Sequence, residues 1–429
     1  MTSSAASPEQ LRRDLLANLS AATRDAVERI VDVAAPHGAV YAVAGAVRDL
    51  LLDRKMVDLD LVMECDAPTV LRASLPDAKL TVHTRFRTAS VIIGDTRIDA
   101  ATARSETYAH PGSLPRIKPS DIGTDLSRRD FTMNAIAVRL SGEAAVLDPC
   151  GGIADIAARR IRVLHDASFQ DDATRIFRAL RYAARLDFTL DPHTADLLAR
   201  DRAYIDPIGG ERLRRELELI LGEATGGAAL SEAARCGALA QIHQSLSWDD
   251  VRSLALANPT AARTPMLPYG FALLAGTASP ADAASIVARL KLKREEAAAV
   301  TGVASMRTVF TMLRRPDAKP SGVVVLLDRF LLAAIAARAA IEPDPIARQL
   351  ALRYLAEWRH VKPLLRGDEL IDMGVPAGPQ VQRGLQLVRA ARLDGWATDR
   401  DDERALVLRF AKSIRDASAA HAPIEFNLN

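Results

Sequence analysis

The spacing of hydrophobic positions changes near residue 150. Before it, short runs of β-type residues (Val40–Val43, Leu59–Met63, Ser90–Ile93, Arg97–Ala100) alternate with helical segments and turns, the pattern of an α/β region. After it, Ala-, Leu- and Arg-rich stretches carry three-to-four spacing punctuated by Pro and Gly, the pattern of packed helices. The expected organisation is an N-terminal helical, partly disordered segment over 1–24 and an α/β head over 25–150. A helical connector follows over 151–230, then helical regions over 231–360 and 361–429. The most apolar stretch, Val323 to Ala340, is broken by Asp328 and Arg329, so no membrane partner is expected.

Composition narrows the class. Of the 429 residues, 49% are hydrophobic and 26% charged, which excludes a fully disordered chain. Three cysteines (Cys65, Cys150, Cys236) are too widely spaced for a zinc site and fit a reducing compartment. The N-terminus shows no basic region followed by an apolar one, so the expected location is cytoplasmic. The 56 bases and 54 acids leave a formal charge of +2, which by itself argues for no nucleic-acid partner. Only eight of those bases are lysine. The arginine fork suits phosphate and base edges, but an Ala- and Arg-heavy genome gives the same bias. The distribution of charge must decide.

Three local patterns carry chemistry. Tyr41-Ala-Val-Ala-Gly45-Ala-Val-Arg48-Asp49 reads as a strand entering a small-residue turn and then a helix, where backbone N–H groups and Arg48 can meet an anion. An ordinary packing turn has the same look. Val57-Asp58-Leu59-Asp60-Leu61-Val62 places two carboxylates at i and i+2, on one face of a strand. Adjacent like charges repel, so either a cation sits between them or the strand is an edge with solvated aspartates. Oxygen ligands alone favour Mg²⁺. Arg97-Ile98-Asp99-Ala100 is a further short strand; beside Asp58 and Asp60, Asp99 would complete a three-carboxylate site for two ions.

With these patterns on the page, the chain resembles the class II tRNA nucleotidyltransferases and bacterial poly(A) polymerases. Their G-G-x-V-R-D, D-x-D, third Asp and R-R-D-F-T-x-N-A motifs correspond to Ala44–Asp49, Asp58-Leu-Asp60, Asp99 and Arg128-Arg129-Asp130-Phe131-Thr132-Met133-Asn134-Ala135. The resemblance implies a nucleotidyltransferase head, a mixed β-sheet with flanking helices, followed by an all-α neck, body and tail. It implies that Asp58, Asp60 and Asp99 are catalytic and bind two Mg²⁺ ions. It assigns triphosphate and ribose to Gly45, Arg48, Arg129, Asp130 and Asn134. Ala44 departs from the family's glycine.

The resemblance continues through Asp148-Pro-Cys-Gly151-Gly152, similar to the family's hinge, into Gln170-Asp171-Asp172-Ala-Thr-Arg175-Ile-Phe-Arg178, similar to its base-reading helix. Asp171, Asp172, Arg175 and Arg178 are the nucleotide-facing residues this implies; Asp171 stands where the family has Glu. On a helix Asp172 and Arg175, three apart, would share a face. A carboxylate beside a guanidinium complements the amino group and ring-nitrogen acceptor of cytosine and adenine, whereas uracil and guanine reverse that pattern. An ordinary solvated ion pair is the alternative. Gly210-Glu211-Arg212 resembles the motif that braces this helix.

The expected activity is template-independent addition of CMP and AMP from CTP and ATP to the 3′ end of tRNA, with no DNA partner and the oligomeric state left open. A poly(A) polymerase or an A-adding enzyme of the same family competes, as does a non-catalytic RNA-binding protein. The full-length polar loop between Thr102 and Lys118 argues against a CC-only enzyme, because in this family those have the loop shortened. His165-Asp166 is read as a loop doublet, and Trp248, Phe310, Phe330, Trp358 and Trp396 as core.

Overall fold

The computed structural model describes residues 7–107, 115–259, 264–315 and 317–420. The chain divides into two compact units, residues 1–242 and 243–429. The first contains the expected N-terminal segment, head and neck together with the first helices of the expected body.

Its elements run α1 (Pro8–Ala17), α2 (Ala21–Ala34), β1 (Val40–Val43), α3 (Gly45–Leu51), β2 (Asp58–Met63), α4 (Ala67–Ser74), β3 (Thr81–His83), β4 (Thr88–Ile93) and β5 (Thr96–Thr102). Then come β6 (Arg104–Thr107), β7 (Arg116–Pro119), α5 (Ile122–Ser127), β8 (Ala137–Arg139), β9 (Val146–Leu147), α6 (Gly152–Ala157) and β10 (Arg160–Ile161). The neck adds α7 (Ser168–Asp171), α8 (Thr174–Leu186), β11 (Thr189–Leu190), α9 (Pro192–Asp201) and α10 (Gly210–Leu221), and α11 (Gly226–Arg235) and α12 (Ala238–Ile242) close the unit. The four strands read from the hydrophobic pattern are present, β1 with the expected bounds and β2, β4 and β5 longer by one, two and three residues. The second unit is helical throughout its described residues, from α13 (Asp250–Ala257) to α22 (Arg400–Ala420). Among the described residues no helix is long and apolar enough to cross a membrane.

Seven strands form one mixed sheet in the order β3-β4-β5-β2-β1-β8-β9, in which only β2 and β5 are parallel. Alternation along β2 turns Leu59 and Leu61 inward, where they are fully buried with Ile98 and Ala100 of β5. That face is covered by α2 and α4, helices whose N-termini are capped by Ser20 and Asp66. The opposite face is covered only in part: Tyr41, Val43 and Val62 pack on Ile122 and Leu126 of α5. The uncovered remainder is where the functional residues stand.

Two backbone positions set the approaches. Ala44, between β1 and α3, has φ 53° and ψ −117°, a region that L-residues other than glycine rarely enter. Ala44→Gly is therefore expected to raise stability by about 1 kcal/mol, strain relief less the added freedom of the unfolded chain. A denaturant midpoint for the variant at or below the parent's would contradict this. Gly152, the second glycine of the hinge-like pair, is a close-packing position: a Cβ there would lie 2.2 Å from the Thr132 carbonyl oxygen. The Asp148 carboxylate accepts from the backbone N–H groups of Gly152 (2.6 Å) and Ile153 (2.9 Å) and fixes the turn.

The aromatic residues divide. Trp248, Phe310 and Trp358 are buried as expected, while Trp396 is 43% exposed beneath the Lys319 ammonium.

Candidate active site

The register of β2 and β5 brings the three predicted acids onto one face. Asp60 stands directly opposite Asp99 and Asp58 opposite Arg97, and β4 adds Ser90 on the far side of Asp99. Asp60 is half-buried, and no hydrogen bond reaches its carboxylate among the described residues. Burial raises its pKa from 3.8 to about 6; Arg129 and Arg48 oppose the rise, while Asp99 and Asp58 add to it. A Cβ at Gly45 would lie 3.6 Å from Asp60 Oδ2, in ordinary van der Waals contact with this carboxylate.

An unpartnered carboxylate beside two more suits a hard cation with oxygen ligands. The side chains do not yet converge, and among the described residues no three acidic, His or Cys groups are placed to hold a metal. Asp99 is engaged by neighbours on its own side of the sheet. It is tied to Arg97, whose Nε lies 2.9 Å from Oδ2, and to the Ser90 hydroxyl.

The second group is an interlocked network. Arg48 is buried, donates to the Asn134 side-chain oxygen (2.8 Å) and pairs with Asp49 (2.8 Å). The Asn134 amide donates to Asp130 Oδ1 (2.9 Å), which also accepts from the Phe131 N–H. Asp130 Oδ2 takes two bonds from Arg178 of α8, at 3.0 and 2.6 Å. Burial pushes the Asp130 carboxyl up, but Arg178 and the Asn134 bond outweigh it and bring it down to about 2. As the side chains stand, Asp130 is committed to clamping head to neck. The Tyr182 ring lies against the guanidinium groups of Arg48 (5.3 Å), Arg178 (5.6 Å) and Arg181 (4.9 Å), with Phe131 edge-on.

The third group corrects the sequence expectation. Asp172 and Arg175 do not share one continuous helix: α7 ends at Asp171 and α8 begins at Thr174. Asp172 sits in the break and accepts from the Thr174 N–H (3.0 Å) and hydroxyl (2.7 Å), because a short carboxylate competes with the helix for backbone donors. Its second oxygen accepts from Arg212 of α10 at 2.6 Å, the brace expected of that motif. Arg175 is buried and donates to Ser168 (2.7 Å to the hydroxyl) and to the Arg128 carbonyl (2.9 Å), not to Asp172.

One cavity of about 760 Å³ joins these groups. It is lined by Gly45, Arg48, Asp58, Asp60, Arg129, Asp130, Asn134, Asp172, Arg175 and Arg178, ten of the twelve residues named from sequence. Asp99 and Asp171 are outside it. Asp99 faces a neighbouring cavity, and Asp171 lines a third one with His165, 3.6 Å away. The cavity wall carries eight arginines and eight acids, so the near-neutral total conceals dense opposed charge rather than bland surface. Sequence reasoning missed Tyr182, Arg185, Arg215 and Glu216 as wall residues; helical spacing from Arg178 and Arg212 was the available signal.

Comparison with known proteins fixes the family. Residues 40–162 match the poly(A) polymerase head domain. An A-adding tRNA nucleotidyltransferase of Geobacter sulfurreducens is 34% identical over 87% of this chain, which spans only 45% of that relative's length. A CC-adding tRNA nucleotidyltransferase of Deinococcus radiodurans is 32% identical over 86% of this chain and 89% of its own. The chain belongs to the class II tRNA nucleotidyltransferase and bacterial poly(A) polymerase family.

The nucleotidyltransferase fold agrees along nearly the whole length. The Thermotoga maritima CCA-adding enzyme complexed with tRNA superposes with a TM-score of 0.77 at 26% identity, covering 93% of this chain and 98% of that one. Two departures from the nucleotidyltransferase pattern now have physical content. Ala44 is a strained residue at the turn into α3, and Asp171, one methylene shorter than the family's Glu, lies outside the cavity. The tip of the polar loop, residues 108–114, lies outside the described residues, and its arms pair as β6 and β7.

The discounted His165-Asp166 doublet is indeed in a connection, where Asp166 pairs with His193 at 2.8 Å.

Proposed function

We propose that the chain adds CMP and AMP, from CTP and ATP, to the 3′ end of tRNA without a nucleic-acid template. The observation that carries this reading is one cavity whose lining brings Asp58 and Asp60 together with Asp172 and eight arginines, Arg175 among them. The Thermotoga neighbour, named as complexed with tRNA, supports tRNA as the acceptor.

In this reading the triphosphate lies along Arg48 and Arg129, held as anion by guanidinium forks. Asn134 and Arg178 fix the sugar side of the site. Asp58 and Asp60, joined by Asp99, would hold Mg²⁺, two ions in the full arrangement, which would supply charge that eases deprotonation of the RNA 3′-hydroxyl and offsets charge on the departing pyrophosphate. The hydroxyl oxygen forms the new bond to the α-phosphorus as the bond to pyrophosphate breaks. No residue forms a covalent intermediate.

Asp172 accepts from the amino group of cytosine or adenine, while donors of Arg175 not used by Ser168 and Arg128 meet the adjacent ring nitrogen. Uracil and guanine would leave those groups unpaired.

The Geobacter relative, named as A-adding, favours one second reading, addition of the terminal A alone. Product length on tRNA ending at the discriminator base, at C or at CC separates them. Three added nucleotides requiring both CTP and ATP support the proposal, extension of CC ends only by one A supports the second reading, and long A runs on generic RNA overturn both.

A further inference from the structure

The second unit holds a cavity of its own, of about 580 Å³, where three helices end. These are α14 (Met266–Leu274), α16 (Arg294–Met312) and α18 (Leu332–Ile341), which pack on one another. Burial of Met306, Val309, Phe310 and Leu313 turns the opposite side of the last turns of α16 outward. Gly276 lets the chain leaving α14 approach the end of α18: a Cβ there would lie 2.3 Å from Ile341 Cδ1. Four arginines line the cavity so formed: Arg307 of α16, Arg314 and Arg315 directly after it, and Arg338 of α18. Among the described residues no carboxylate is part of the lining.

The partners of these arginines leave positive charge over. Arg338, 12% exposed, is paired with the fully buried carboxylate of Glu342. Arg314 lies 3.3 Å from the other Glu342 oxygen and 3.9 Å from Asp344. Arg307 donates to the Thr277 carbonyl at 3.4 Å, and Arg315 has no side-chain partner among the described residues. Set against Glu342 and Asp344, the four guanidinium groups keep an excess of two positive charges. Helix C-termini attract cations, which accounts for Arg307 beside a carbonyl beyond α14 but not for Arg315, which bonds to none.

The rest of the wall narrows the ligand. Thr277, Thr308 and Thr311 add hydroxyls, Met312 is the one large apolar side chain, and no aromatic ring takes part. Guanidinium forks and hydroxyls without a stacking face suit phosphoryl oxygens and not a nucleobase. A volume in the range of small-ligand sites, with two charges to neutralise, fits a compact polyphosphate. An RNA strand carries single charges along an exposed backbone and makes little use of a recessed guanidinium such as that of Arg338.

We propose that this cavity binds a compact polyphosphate anion of the pyrophosphate class, gripped by Arg307 and Arg315 and backed by Arg314 and Arg338. The choice of pyrophosphate rests on the nucleotidyl-transfer reading above, in which it is the released product. The site itself rests on the cavity and its charge.

The test is a calorimetric titration of the full chain, free of RNA and with chelator present, using inorganic pyrophosphate as the probe. Arg129→Ala, altered in the main cavity, is expected to keep the site. Arg307→Ala and Arg315→Ala should each weaken it about tenfold, the scale of one charge-assisted contact. Arg315→Lys, which keeps the charge and loses the fork, should fall between parent and Arg315→Ala. Affinity for tRNA should stay within about twofold in all three of these variants, and the denaturant midpoint of Arg315→Ala should match the parent's. Pyrophosphate binding that is lost in Arg129→Ala and untouched in Arg307→Ala and Arg315→Ala puts the anion in the main cavity and overturns the proposal. Affinity for tRNA that falls in step with affinity for pyrophosphate gives the forks to an RNA backbone and overturns it too. None of these readouts needs turnover, so either failure leaves the functional reading standing, and a chain that binds pyrophosphate here yet extends no RNA overturns that reading alone.

Discussion

Asp60→Asn is expected to lower nucleotide transfer by at least about 10³-fold while making the metal-free protein more stable at pH 8. The two effects have one origin. Asp60 is a half-buried carboxylate with no hydrogen-bond donor among the described residues, held among acids, and its pKa is raised from 3.8 to about 6. The native state therefore holds this proton more tightly than the unfolded chain does. Native stability falls as pH rises from about 4 through 6, and above that the metal-free parent carries the full penalty of a charge it disfavours. Asparagine cannot ionise and escapes it. Allowing for the solvent that reaches the group, the gain is on the order of 1 kcal/mol above pH 7 and vanishes below pH 4. Denaturant midpoints for parent and variant at pH 4 and pH 8, with chelator present, check the sign. A variant less stable than the parent at pH 8 would mean Asp60 has a stabilising partner in the fold.

The second large effect concerns choice of base. Asp172→Ala should reduce discrimination of CTP and ATP against UTP and GTP by about 10²-fold, the scale lost when a buried hydrogen-bonding partner for one base edge is removed. The substitution also removes the acceptor for the Thr174 N–H at the start of α8, which costs about 1 kcal/mol. A ratio of incorporation rates does not depend on the folded fraction, so selectivity is the readout that isolates base reading. Arg212 touches Asp172 at 2.6 Å, and its role in this account is to aim that carboxylate.

The fold was largely legible because its strands alternate cleanly and its boundaries carry turn residues: β2 and β5 stand where Leu59–Met63 and Arg97–Ala100 predicted them. The sharing of one face by Asp58 and Asp60 was legible from period-two alternation, and the resemblance added Asp99, whose strand the register places beside theirs. What sequence could not supply was the current partner of each charge. Asp99 is held by Arg97 two residues earlier on its own strand, and local pattern does not say whether such a pair closes. Asp130 reads as a sugar ligand by motif, yet its four contacts arise from Phe131, Asn134 and a helix some fifty residues on. The break at Asp172 was hidden for a related reason. Nothing in a three-residue spacing tells a helix face from a capping turn; the Thr174 donors decide it. Gly151-Gly152 reads as part of a hinge by motif; the crowding that demands glycine at 152 comes from Thr132, distant in sequence.

The central claim is that side chains of this one cavity, without a template, choose cytosine and adenine for transfer to tRNA. Its most direct measurement is single-turnover incorporation from each of the four nucleotides, offered separately with Mg²⁺ to tRNA ending at the discriminator base or at CC, by parent and Asp172→Ala. The account predicts that the parent adds C to the first end and A to the second, with U and G poor at both, and that Asp172→Ala admits U and G. A parent that adds all four alike, or an Asp172→Ala variant that keeps the parent's full selectivity, contradicts it.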